Sequence, residues 1–134
     1  MKKVLLDTNA YARLLLGDER VLDVLGNADA VYVSAVVLGE LYAGFKGGAR
    51  EADNHRRLQE FLRKDTVHIM PVTQHTASVF GEIKHNLKRA GTPTPINDVW
   101  IAAHAVEAGA YLITFDQHFL RVPGLLLWAH IYEP

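Results

Sequence analysis

Four carboxylates stand where the surrounding sequence pattern calls for apolar side chains: Asp7, Glu40, Asp98 and Asp116. Asp7 and Asp116 each follow an apolar run, Val4-Leu5-Leu6 and Tyr111 to Phe115, that reads as a buried strand. In open parallel sheets ligands bind beyond the carboxyl ends of the strands, which is where both would project. Singly, either is also an ordinary turn residue. Glu40 comes four residues after Val36, three after Val37 and four before Gly44, so on a helix it shares their face instead of opposing it. Asp98 precedes Ile101, Ala102 and Ala105 by three, four and seven residues, on the stripe expected to face the sheet. Taken alone, Asp98 reads better as a helix cap or as a first-turn partner of the helix dipole.

Taken together, the four make a sharper case. Two like charges about 4 Å apart repel by roughly 4 kcal/mol at an effective dielectric near 20, so a carboxylate cluster calls for a cation. The chain has no cysteine, which leaves oxygen and imidazole as metal ligands and removes Cys nucleophiles and disulfide frameworks. None of the seven histidines has a His-x-x-x-His or similar zinc spacing tied to an acid, and His55 and His104 read as ordinary helix residues. A hard divalent ion, Mg²⁺ or Mn²⁺, fits such a pocket better than zinc, and would supply a hydrolytic nucleophile against phosphate. Glu82 falls between Ser78 and Asn86, off the Phe80-Ile83 stripe, and reads as a solvated charge. The chain has no Gly-rich phosphate loop and no Ser nucleophile motif.

The elements that must hold these acids follow from periodicity and punctuation. After the first strand, Ala10, Tyr11, Leu14 and Leu15 have helical spacing, and Val21, Leu22, Val24 and Leu25 mark a second helix. A strand over Ala30 to Val33 leads to Ser34, a plausible N-cap for a helix reaching Phe45, where Lys46-Gly47-Gly48 breaks it. The next helix, Arg50 to Lys64, turns Ala52, His55, Leu58 and Leu62 to one side and Arg56, Arg57, Arg63 and Lys64 to the other. Thr66 to Met70 reads as a strand. Thr73 caps a helix with Ala77, Phe80, Ile83 and Leu87 inward, and Gly91 ends it. Thr92-Pro93-Thr94-Pro95 is a stiff extended connection, because proline biases its predecessor away from helix. A helix from near Asn97 to Gly109, the strand ending at Asp116, and a last short strand at Leu125-Leu126-Leu127 complete the chain. Strands alternating with helices predict an α/β fold with a central, mainly parallel sheet flanked by helices.

Size and composition are compatible with this reading. The 134 residues, 49% apolar and 22% charged, are expected to form one domain, 1–134, with an ordinary core, which excludes disordered and collagen-like classes. No apolar run approaches the roughly 20 residues of a membrane span, so no membrane association and a cytoplasmic location are expected. A net charge of −1 excludes a general nucleic-acid coat protein but not a basic rim around an acidic centre. Lys46, Arg50, Arg56 and Arg57 are candidates to guide a phosphate backbone, with a solvated helix face as the plainer reading.

Four segments in this order, VLLDTNAYARLL, SAVVLGELYAG, INDVWIAAHAVEAGAYLITFDQHF and VPGL, make the chain resemble the PIN-domain family over nearly its whole length, and within it the stand-alone VapC-type toxins. The resemblance implies a three-layer fold and a Mg²⁺- or Mn²⁺-dependent endoribonuclease. Its acidic site maps onto Asp7, Glu40, Asp98 and Asp116, the fourth being the position that varies in the family, with Thr8, Asn9 and Thr114 as supporting polar positions. It also implies an RNA substrate, a cognate antitoxin that masks the site, and often a homodimer. Two rival readings remain. A phosphatase of the haloacid-dehalogenase type also carries an Asp after its first strand but needs a second Asp two residues later, where this chain has Asn9. A catalytically silent PIN-like interaction module would keep the fold without needing all four acids.

Overall fold

The computed structural model describes residues 2–132. Four strands, β1 (Lys3–Leu6), β2 (Ala30–Ser34), β3 (Val67–Met70) and β4 (Tyr111–Ile113), form one sheet in the order β3-β2-β1-β4. Every pairing is parallel. Val4, Leu5 and Leu6 of β1 are all buried although successive side chains point to opposite faces. Both faces of the sheet are therefore covered around β1, as a parallel sheet with helical crossovers requires, while His68 and Ile69 on the edge strand β3 stay exposed. The cover comes from α1 (Thr8–Leu15), α2 (Glu19–Gly26), α3 (Ala35–Phe45), α4 (Glu51–Leu62), α5 (Gln74–Ala90) and α6 (Ile96–Ala108), giving the three-layer arrangement expected. Among the described residues, no helix is long and apolar enough to cross a membrane.

Local chemistry sets the element ends. Ser34 closes β2 and caps α3 by accepting the Val36 N–H at 3.0 Å. Thr73 and Thr76 form a reciprocal capping box on α5, and Gly91, at φ 67°, supplies the left-handed residue that ends it.

Several sequence expectations are corrected. β4 ends at Ile113 instead of Phe115, because the chain leaves the ladder once Thr114 turns its hydroxyl inward to Asp7. Leu125-Leu126-Leu127 is not a strand. It makes one bridge, Leu127 to Leu112, between two 3₁₀ turns at Gln117–Arg121 and Ala129–Tyr132. α6 begins at Ile96, in keeping with the expected start near Asn97. Ala52 and Ala77 are exposed, and at the start of α5 it is Thr76 that is buried, its hydroxyl donating to Glu107 at 2.6 Å. Leu15 and Leu22 remain 38% and 48% exposed. Glu82 is solvated, as expected.

His104 is the largest departure. It is fully buried on α6, with Nδ1 2.7 Å from Ser34 Oγ and Nε2 3.1 Å from the Pro71 carbonyl. A carbonyl only accepts, so in the neutral ring Nε2 carries the proton and Nδ1 accepts from the Ser34 hydroxyl. One ring thus ties α6 to the β2–α3 junction and to the turn after β3. His104→Leu strands the buried Ser34 hydroxyl and removes the partner of the Pro71 carbonyl, and a loss of about 1–3 kcal/mol is expected. Urea unfolding checks this: the midpoint should fall with the slope unchanged.

Candidate active site

Asp7 sits one residue past β1, with extended backbone at ψ 177°, and is the N-cap of α1. Its Oδ1 accepts the Ala10 N–H at 2.8 Å and its Oδ2 accepts the Thr114 hydroxyl, so both oxygens are fixed. The register that pairs Leu6 with Ile113 brings Thr114 beside Asp7. Thr114 in turn accepts the Asp116 N–H at 3.0 Å, and its carbonyl accepts the indole N–H of the buried Trp128 at 2.7 Å. A fully buried threonine and tryptophan therefore hold the β4 end of the site in place.

Glu40 projects from α3 on the face of Val37, half-buried. Thr8 Oγ1 donates to its Oε1 at 2.6 Å and Asn97 Nδ2 reaches its Oε2 at 3.5 Å. Asp98 lies in the first turn of α6, whose N-cap is Pro95 with no side-chain capping bond. The cap reading of Asp98 therefore fails: among the described residues no hydrogen bond fixes its carboxylate. Asp116 caps the first 3₁₀ turn, accepting the His118 N–H at 2.9 Å.

Asp7, Thr8, Asn9, Glu40, Asp98 and Asp116 line one pocket of about 150 Å³, with Ile101 beside them. Its electrostatics are those of crowded anions. Burial pushes the Asp7 carboxyl up to about 6, with Asp116 and Asp98 adding to the rise against the Thr114 and Ala10 hydrogen bonds. Asp98 is also pushed up to about 6, first by burial and then by Asp116 and Glu40, with His118 opposing. Two carboxyls that resist ionisation, packed with two more, form a site that a divalent cation would relieve, and the oxygen donors are of the kind Mg²⁺ and Mn²⁺ prefer.

Two polar residues beside these acids escape the periodicity argument. Asn97 precedes Asp98 and is exposed. His118 is two residues after Asp116, on a turn no pattern announces, with Nδ1 2.8 Å from Asp116 Oδ1. The local run Asp116-Gln117-His118 is the only sequence signal for it. The basic residues near α4 are largely paired with acids of their own segment: Lys46 with Glu51, Arg56 with Asp53 and Glu60, Arg57 with Asp53. That pattern favours a solvated helix face.

A profile of the PIN domain matches residues 4–125. Ribonuclease VapC2 of Haemophilus influenzae is 32% identical over 130 residues, covering 93% of this chain and 96% of that protein. Ribonuclease VapC2 of Rickettsia felis is 29% identical over 107 residues, covering 79% and 78%. Among solved structures, DNA-bound VapBC from Salmonella typhimurium superposes with a TM-score of 0.83 at 26% identity, covering 96% of this chain and 98% of that one. VapBC2 from Rickettsia felis, bound to a DNA fragment from its promoter, gives 0.81 at 26% identity, covering 94% and 97%.

Proposed function

The chain belongs to the PIN domain family, and from that premise we propose that it is a divalent-metal-dependent endoribonuclease, the toxin of a toxin–antitoxin pair. It hydrolyses phosphodiester bonds of single-stranded or looped RNA, as one domain over 1–134 working in the cytoplasm. The observation that carries this reading is the pocket in which Asp7, Glu40, Asp98 and Asp116 meet beyond the carboxyl ends of β1 and β4. Relatives named as ribonucleases over most of their length support it.

The donor set fits Mg²⁺ or Mn²⁺: it is anionic, oxygen-rich and free of thiolates. Asp7, Glu40, Asp98 and Asp116 would hold the ion, which when bound polarises the phosphate and lowers the pKa of water. The protein's own part is orientation. Ala10 and Thr114 fix Asp7, while Thr8 and Asn97 hold the two oxygens of Glu40. The unpinned Asp98 is free to adjust to its ligand. Asn9, beside the acids, supplies an amide for the substrate's phosphate or sugar.

A cognate antitoxin is the proposed protein partner, since the structural relatives are VapBC assemblies. Leu14, Leu15, Leu22, Leu25 and Phe61 line an open groove of about 620 Å³, and exposed apolar surface of that kind marks interaction sites. Self-association as a homodimer belongs to the same reading.

Purified chain incubated with structured RNA and Mn²⁺ should cut it endonucleolytically, and EDTA should stop the reaction. Undiminished cleavage by rigorously metal-free protein would refute the metal-dependent mechanism. No cleavage in any divalent ion would leave the silent interaction module as the better account.

A further inference from the structure

One imidazole stands beside two of the pocket's acids, Asp98 and Asp116. His118 is on the 3₁₀ turn capped by Asp116, its side chain 49% exposed. One ligand atom each from Asp98, Asp116 and His118 lie within 4.8 Å of one another. Two donors about 2.1 Å from a shared ion stand at most about 4.2 Å apart. Three donors evenly spread around one ion stand about 3.6 Å apart, so closing this trio around a cation takes about an ångström of side-chain movement, within the reach of a half-exposed imidazole and of the unpinned Asp98.

We propose that His118 is a direct ligand of the cation, making this a mixed carboxylate–imidazole site that prefers first-row transition ions to Mg²⁺. The inference rests on the metal-dependent reading above and deepens it. Mg²⁺ seeks oxygen and keeps its waters, so an imidazole adds little to its binding. Affinity of a nitrogen donor rises along Mn²⁺, Co²⁺ and Ni²⁺, so His118 strengthens binding progressively along that series. The other role open to this geometry is that His118 only orients Asp116 through the 2.8 Å contact, the part an outer-shell partner plays.

The two roles separate in variants of the tag-free, full-length protein. His118→Gln retains an amide N–H for Asp116 but offers no nitrogen lone pair, and His118→Ala removes both. Calorimetric titrations with Ni²⁺, Mn²⁺ and Mg²⁺ are read beside pulsed EPR of bound Mn²⁺. Ni²⁺ affinity should fall at least about 10-fold in both variants, the lower end of the loss when even an outer-shell partner is removed. Mg²⁺ binding should change far less, and a ¹⁴N coupling to Mn²⁺ in the wild type should vanish in both variants. Unchanged Ni²⁺ affinity in His118→Gln, or no ¹⁴N coupling in the wild type, overturns the assignment. If the wild type still cuts RNA only with a divalent ion in that case, the ribonuclease reading survives while this inference fails. A wild type that binds no divalent ion overturns both.

Discussion

Asp98→Asn is expected to abolish RNA cleavage while leaving the metal-free protein at least as stable as the wild type. The first half follows from charge. Asp98 is the acid in the pocket that no hydrogen bond fixes among the described residues, and its carboxyl is pushed up to about 6 by burial and by Asp116 and Glu40. Replacing it with an amide of the same shape removes a formal negative charge from the proposed cation site. Cation-assisted charge stabilisation is worth several kcal/mol, and each 1.36 kcal/mol is tenfold in rate, so a loss of at least about 100-fold is expected. The second half follows from the absence of a capping bond at the start of α6. The amide forfeits only a first-turn dipole interaction, about 0.3–1 kcal/mol. Against that it relieves a desolvated charge facing two other acids, so metal-free stability should hold level or rise by roughly 0.5–2 kcal/mol. Cleavage in Mn²⁺ and melting in EDTA are measured on the same two proteins. Retained cleavage removes Asp98 from the site, and a marked drop in Tm assigns it a structural task instead.

Much of this arrangement was legible in the residues. The run Val4-Leu5-Leu6 is apolar without alternation because β1 is central and covered on both faces, and the carboxylate directly after it, which also caps α1, stands at the strand end where ligands bind. Glu40 stood out because it breaks an otherwise apolar helix, and α3 turns that face to the pocket. What periodicity could not reach is pairing across the fold. Ser34 reads only as a cap in sequence, and its bond to His104, 70 residues away, exists because α6 packs against α3, at whose start Ser34 stands. Thr114, marked by resemblance alone, gains its place from the β1–β4 register. Trp128 lies beyond the last regular strand, in a segment where bridge and 3₁₀ geometry leave no repeating pattern. Leu125 to Leu127 misled for the same reason: three apolar residues read as a strand whether they pair along a ladder or touch it once.

Burial of Asp7 makes the free energy of the metal-free fold depend on pH in a direction opposite to that of most surface carboxylates. Asp7 is 5% exposed and its carboxyl is raised from 3.8 to about 6, chiefly by desolvation. Below about pH 4 the group is protonated in the folded and unfolded chains alike, and its contribution is fully present. As pH rises the unfolded chain ionises first, while the folded protein still holds the proton, so stability is lost across the window from about 4 to 6. Above it both states are ionised and the loss is complete, about 3 kcal/mol for a shift of this size. Asp98 acts in the same direction with less weight, since its half-buried site is partly solvated. In EDTA, the wild type should therefore lose roughly 10 °C of Tm between pH 4 and 7.5 relative to Asp7→Asn, which still caps α1 through its amide oxygen. Excess Mn²⁺ should offset most of that loss, because the ion binds the ionised carboxylates of the folded state: at 100 times its Kd it returns about 2.7 kcal/mol at pH 7.5 and little at pH 4. The comparison is a pair of melting curves at each pH, with and without Mn²⁺, for the two proteins. Parallel pH profiles for wild type and Asp7→Asn in EDTA would show that Asp7 is not carrying a desolvated charge. A Mn²⁺ shift of the same size in both proteins would show that the ion binds elsewhere.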